Sequence, residues 1–344
     1  MAGFPSHSPP QKNNPGENIN MKKTMSILAL GVLSGMSSTA SAQSSNVQVY
    51  GYIDLGLVKE SGNTPRMDRG QNNWLGFKGI EQLGGDLAAI FNVQMRFNPD
   101  TGGQEKSMAF FQGETTIGLV SKRFGSVRLG RALTPLWAKK WIYDPWYDSA
   151  LMGSLANYNG DFNSDGLPTA DFRNYSRASN AVYYSSPDMA GFSVHADAEI
   201  ERAFGDDAAR TVAKTRQKSV SLNYANGGLN TMLAYEKNHI DSDIVYVGGG
   251  YTFGQATVLA SYSETKFSHI SSKVHSMMLA GTYMVGIDTL RGGYGKIKES
   301  GNDKMVVGIN HPLSKRTNVY ADLYREELAN VGTTGVALGI NHTF

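Results

Sequence analysis

The chain has 344 residues, with 39 glycines, 11 prolines and no cysteine, and its 32 basic and 30 acidic side chains leave a formal charge of +2. The lack of cysteine removes disulfide scaffolds, thiolate metal sites and cysteine nucleophiles, near-neutrality argues against a nucleic-acid partner, and no run of about 18 apolar residues exists to form a membrane-spanning helix. High glycine, little proline, 17 tyrosines and 14 phenylalanines suit sheets and turns better than disorder.

Residues 1–20 hold no periodic pattern and precede a second methionine, Met21, so they read as a start-codon extension outside the fold. Residues 21–42 read as a secretory signal: Lys22 and Lys23, an apolar run from Met25 to Leu33, then the small-residue site Ala40-Ser41-Ala42. The mature chain is then Gln43–Phe344, in which the two signs of charge balance.

From Gln43 onward the dominant signal is alternation with period two. Leu87, Ala89, Phe91, Val93, Met95 and Phe97 flank Asn92, Gln94 and Arg96, and Phe192 to Ile200 and Val336 to Phe344 repeat the pattern. It predicts sixteen strands, near 46–59, 73–82, 87–98, 107–121, 125–133, 179–186, 192–201, 218–225, 229–237, 243–252, 256–267, 272–284, 288–298, 303–311, 317–328 and 335–344. Many approach the nine to eleven residues that a tilted strand needs to cross a bilayer. Short turns at Leu83–Asp86, Pro187–Gly191, Asn226–Gly228, Phe253–Gln255, Val285–Asp288 and Pro312–Arg316 alternate with longer polar loops such as Ser61–Asn72 and Arg202–Arg216. Short turns on one rim and long loops on the other mark an outer-membrane barrel. An even strand count closes the sheet and leaves no edge. The expectation is an all-β, 16-stranded antiparallel transmembrane β-barrel, one domain over 43–344.

The longest stretch without alternation is 136–176. A structureless segment of that length calls for a functional reason. Its Trp137, Trp141, Tyr143, Trp146, Tyr147 and Tyr158 are costly to leave in water, which argues for packing over disorder.

Several segments resemble the general porins of Gram-negative bacteria, especially those of beta-proteobacteria and Neisseria. They are Leu75-Gly76-Phe77-Lys78-Gly79-Ile80-Glu81, Leu83-Gly84-Gly85-Asp86-Leu87, the run from Gly125 to Leu136, Arg177 to Phe192, and the closing Gly339-Ile340-Asn341-His342-Thr343-Phe344. Each is weak alone; in order they span the mature chain. The resemblance implies a homotrimer of barrels in the outer membrane, each with a water-filled pore narrowed by an inward-folded third extracellular loop. It also implies contact with outer-membrane lipid and lipopolysaccharide, and with the barrel-assembly machinery, whose signal a terminal Phe344 resembles. No cofactor is implied.

In such a pore, charged side chains at a constriction choose which ions pass. By motif, Arg131 and Arg177 match two wall arginines, and Arg96 joins them by parity with Asn92 and Gln94. Arg131 shares odd parity with Val127 and Leu129, so it faces the lumen only if a bulge or bend intervenes. Solvated rim positions are the plainer reading for all three. The loop offers Asp144, Asp148, Asp161, Asp165 and Asp171 against Lys139, Lys140 and Arg173. Two family positions that usually or sometimes hold a basic residue carry Trp74 and Tyr52 instead. Fewer wall cations and an acidic loop suggest weak selectivity, leaning toward cations.

Asp161, Asn163 and Asp165 with Gly166 resemble half of a calcium loop, but position twelve is Phe172, and an Asx-turn explains the same residues. The scattered histidines form no HExxH, and GxSxG and phosphate-loop motifs are absent, so an enzyme is not expected. Passive diffusion of ions and small hydrophilic solutes is the leading function. The alternatives are a nutrient-specific channel binding one solute class on the aromatic loop, and an adhesin or structural barrel without an open pore.

Overall fold

A computed structural model describes residues 45–105, 110–147, 153–160, 176–200, 215–238, 241–267 and 273–344. The signal and extension (1–42), most of the 136–176 loop's acids (Asp148, Asp161, Asp165, Asp171), Arg173 and the calcium candidate with Asn163 lie outside these residues.

The strands are β1 (Ser45–Glu60), β2 (Arg66–Asp68), β3 (Asn73–Gly84), β4 (Leu87–Phe97), β5 (Glu114–Ser121), β6 (Gly125–Leu133), β7 (Arg177–Ser185), β8 (Phe192–Glu199) and β9 (Lys218–Asn226). There follow β10 (Leu229–Lys237), β11 (Asp243–Phe253), β12 (Ala256–Lys266), β13 (Lys273–Val285), β14 (Asp288–Ile297), β15 (Asp303–Pro312), β16 (Thr317–Leu328) and β17 (Val331–Thr343). Sixteen of them pair antiparallel in chain order, and β1 bonds both β3 and β17, which closes the barrel. The three residues of β2 pair with Gly56–Val58 of β1 beyond the end of β3. At the seam Gly51 and Phe344 exchange backbone hydrogen bonds of 3.0 and 3.1 Å, so the C-terminal residue completes the ring.

Two predicted boundaries move. β5 begins at Glu114 and not near 107, because the preceding chain folds back on the end of β4: Glu105 N donates to Arg96 O and Gly113 N to Gln94 O. β17 begins four residues early at Val331, because Ala329 and Asn330 both adopt positive φ (50° and 65°), the conformation of a two-residue hairpin turn.

The alternation sorts side chains into two faces. Val245, Val247, Tyr262, Met277, Leu279 and Tyr294 belong to a band of exposed large apolar residues around the outside. A band this extensive is untenable in water and suits hydrocarbon. The opposite faces carry small or polar groups such as Ser261, Ser263 and Ser276.

Candidate functional site

The segment after β6 leaves the wall at Thr134, whose hydroxyl caps the short helix α1 (Pro135–Lys140), with Pro135 at the first helical position. Single helical turns follow at Trp141–Tyr143 and Ala156–Tyr158. These pieces pack on strands far from β6 in the ring: α1 on β9 and β10, the first turn on β11 and β12, the second on β13 and β14. Thr134 Oγ1 donates to Glu236, Tyr143 OH to Asn230 (2.9 Å), Trp146 Nε1 to Asp322 (2.8 Å) and Tyr158 OH to Glu326 (2.9 Å).

Between those bonds lies an apolar cluster. Leu136, Trp137, Tyr143, Trp146, Leu155 and Tyr158 bury themselves against Met232, Tyr246, Met278, Val306 and Tyr324. Each such side chain contributes about 1.5–3 kcal/mol relative to exposure. Glycines make room for the closest approaches: a Cβ on Gly248 would lie 2.5 Å from the Tyr143 ring, and one on Gly295 would lie 2.3 Å from Tyr158 Cβ.

The inner surface is therefore divided. From β10 round to β1 many of its residues are buried, as with Ala234, Ser263, Lys304, Asp322 and Val58. From β3 to β9 Lys78, Asn92, Glu114, Arg128, His195 and Asn223 stay partly exposed. Lys78 Nζ sits 4.8 Å from the Tyr50 ring centroid, and the Arg128 guanidinium lies 5.5 Å from that of Tyr183 while pairing with Glu114. On α1, Lys139 lies outside the buried face of Pro135, Leu136, Trp137 and Lys140. Partial burial and then the charge of Arg128 hold the Lys139 ammonium pKa below the usual lysine value.

The arginines singled out by sequence contact Glu105, Gln112 and Gly113, but largely beneath the surface. Arg96 is 2% exposed, with Nε 3.1 Å from Glu105 Oε2. Arg177 is 1% exposed, and its Nε donates to Gly113 O at 2.7 Å. Half-buried Arg131 donates to Gln112 O (3.2 Å) and Ser179 Oγ (2.7 Å). The β6–β7 register shifts between Gly130 and Ala132, where β7 carries the extra residue and Asn180 lies at φ 51°. Burial opposes the charge on Glu105, yet Arg96 and Arg69 hold its pKa at about 2.

Asp144, expected at the constriction, is 1% exposed and fastens the loop to itself, accepting from Trp146 N (2.9 Å), Leu155 N (2.8 Å) and Ser154 Oγ (3.3 Å). Lys140 is equally internal: its Nζ donates to Asn159 O (3.1 Å) over the Trp137 ring. Among the described residues no cluster of three metal-binding side chains occurs. Lys78 and Arg128 were missed by the sequence reading, although strict alternation marks Arg128: its neighbours Val127 and Leu129 are exposed on the outer face.

The family described as Gram-negative porin matches residues 29–330. Outer membrane porin protein 32 of Delftia acidovorans is 28% identical, over 94% of this chain and all of that protein. Among solved structures, an anion-selective porin from Comamonas acidovorans superposes with a TM-score of 0.73 at 24% identity, covering 88% of this chain and 100% of its own. A trimer form of OmpT from Vibrio cholerae reaches 0.63 at 15% identity, covering 87% and 99%. A closed barrel with an apolar exterior, a polar wall inside and a family match over most of its length is a pore through a lipid layer, and this chain belongs to the Gram-negative porin family as a diffusion channel of the outer membrane.

Proposed function

We propose that the loop after β6 folds into the lumen and confines diffusion to the sector between α1 and the β3–β9 wall, where the channel weakly favours anions. The observation that carries this reading is the pair of opposed charged surfaces: Lys78 and Arg128 on the wall, Lys139 on α1, and Glu114 as the partly exposed carboxylate between them. Charge lining a narrow aqueous passage biases which ions enter. Exposure to water and salt keeps that bias modest, since screening acts over about 8 Å at physiological ionic strength. The cation-leaning expectation counted Asp144 among five loop acids; that carboxylate is spent inside the loop, and the other four lie outside the described residues. The solute-specific alternative loses support for a similar reason: Trp137, Trp141 and Trp146 are 2, 6 and 2% exposed, so their faces are engaged in packing.

The channel acts without a chemical step or cofactor, as a homotrimer embedded among outer-membrane lipid and lipopolysaccharide. The trimer form of a structural relative supports that assembly. Residues 21–42 direct export, residues 1–20 stand outside the fold, and Phe344 presents the C-terminus to the barrel-assembly machinery. Arg96, Arg131 and Arg177 act as a positive layer behind the wall. The testing experiment is single-channel recording in a planar bilayer under a salt gradient. A modest reversal potential of anion sign, with current steps recurring in threes, is expected; a cation-sign potential would overturn the charge assignment.

A further inference from the structure

We infer that a clasp of aromatic rings joining the loop to β1 and β3 seals one side of the lumen and thereby sets the width of the passage. This rests on the reading that the loop narrows the pore. Tyr52 of β1 and Trp74 of β3 are register partners, and their rings stack at 4.9 Å with an interplanar angle of 16°. From the loop, Trp141 and Tyr147 meet edge-on at 5.4 Å. Tyr50, Trp74 and Trp141 form one buried cluster, with Tyr52, Ile142 and Tyr147 packed against it.

Three of the polar atoms bond within the loop or within the wall. Trp141 Nε1 donates to Ala138 O (2.9 Å) within the loop, Tyr50 OH to Asn92 (2.6 Å) and Tyr52 OH to Asp54 (3.3 Å). Across the gap Trp141 of the loop joins Tyr50 and Trp74 of the wall in one buried cluster, and apolar surface buried in this way excludes water. α1 meanwhile rests on β9 and β10, so the loop touches two separate parts of the wall.

Beside the clasp, loop and wall side chains pack closely. Gln71 Nε2 donates to Trp146 O (3.1 Å), Trp146 Nε1 to Asp322, and the Arg291 guanidinium lies over the rings of Trp146 (4.9 Å) and Tyr320 (5.8 Å). The cavity left among Asp54, Arg69, Trp146, Arg291 and Asp322 is about 30 Å³. That is room for about one water molecule and none for a hydrated ion. That space, beside β14 and β16, therefore offers a hydrated ion no passage. The proposed passage begins where Lys78 lies over Tyr50, at the edge of the clasp. Trp74 and Trp141 are therefore size-determining residues that hold the loop against the wall without bearing charge themselves.

The test uses the full-length porin with Trp74→Ala and Trp141→Ala, scored by unit conductance and by the largest polyethylene glycol that enters the pore. Both variants are expected to conduct more and to admit larger polymers. Unchanged or reduced conductance with an unchanged polymer cut-off in folded barrels would overturn the clasp. Trp141→Phe, which keeps an apolar ring of smaller area, should give an intermediate conductance and serves where the alanine variants fail to assemble. Since the chain has no cysteine, Lys139→Cys supplies a unique thiol. Current block by a charged thiol reagent there reports the loop's place in the pore independently of the clasp. Failed block sinks the inward-loop reading and the clasp with it, whereas block combined with silent tryptophan variants sinks the clasp alone.

Discussion

The two halves of the barrel's inner surface are built by the same alternation yet meet different fates. On the β10–β1 side, Met232, Tyr246, Met278, Val306 and Tyr324 are buried in one apolar cluster with Leu136, Tyr143, Trp146, Leu155 and Tyr158. On the β3–β9 side, Lys78, Asn92, Arg128 and Asn223 face inward and keep contact with water. The contrast teaches that inward parity does not make a residue part of the channel. Arg96 and Arg177 have the chemistry of a selectivity filter, but they are buried against Glu105 and Gly113 O. Lys78 and Arg128, less conspicuous in the sequence, stay partly exposed.

The largest test of that contrast is charge reversal on the open wall. Lys78→Glu combined with Arg128→Glu is expected to invert the sign of the reversal potential, whereas Arg177→Gln should shift it little and lower thermal stability instead. Removing a buried hydrogen-bonding cation strands its acceptor, at a cost on the order of 1–3 kcal/mol. Equal selectivity shifts from the two sites would erase the distinction between lining and buried arginines.

A second, smaller effect concerns Lys139. Its folded pKa is lowered, so it sheds its proton at a lower pH than an ordinary lysine, whose value is about 10.4. The anion preference should therefore begin to fade, as pH rises, before ordinary lysines titrate. Lys139→Arg should hold the preference level across that interval, and a wild-type profile identical to the arginine variant's would contradict the placement of Lys139 at the passage.

The smallest effect lies behind the wall. Glu105 is held at about 2, below its ordinary 4.5, so its stabilising contribution is fully present above 4.5 and is lost as pH falls through about 2. Wild type at that acidity and Glu105→Gln near neutrality should lose the same tether between Arg69, Arg96 and the Glu105–Gly113 segment. Comparing the melting temperature of each with wild type at neutral pH checks this; a Glu105→Gln variant as stable as wild type would show that the tether contributes nothing.

Much of the scaffold was legible because strand alternation and turn chemistry are local. The run from Ala256 to Lys266 carries its own in–out pattern, and β12 begins and ends within a residue of the predicted 256–267. The misplaced start of β5 has a tertiary cause, the backbone bonds that Glu105 and Gly113 make to Arg96 O and Gln94 O. The aromatic content of the loop announced that it would pack, but it named no partner.

What the sequence by itself determined is the closed sheet, its apolar exterior, its polar interior and the single long segment between β6 and β7. Which charges border the passage was decided only in three dimensions. The loop's course depends on contacts such as Thr134 to Glu236 and Trp146 to Asp322, 102 and 176 residues apart in the chain. No local periodicity encodes contacts at that separation. They arise because a ring of strands brings distant residues to one interior, and burying six large apolar loop side chains there is more favourable than leaving them in water.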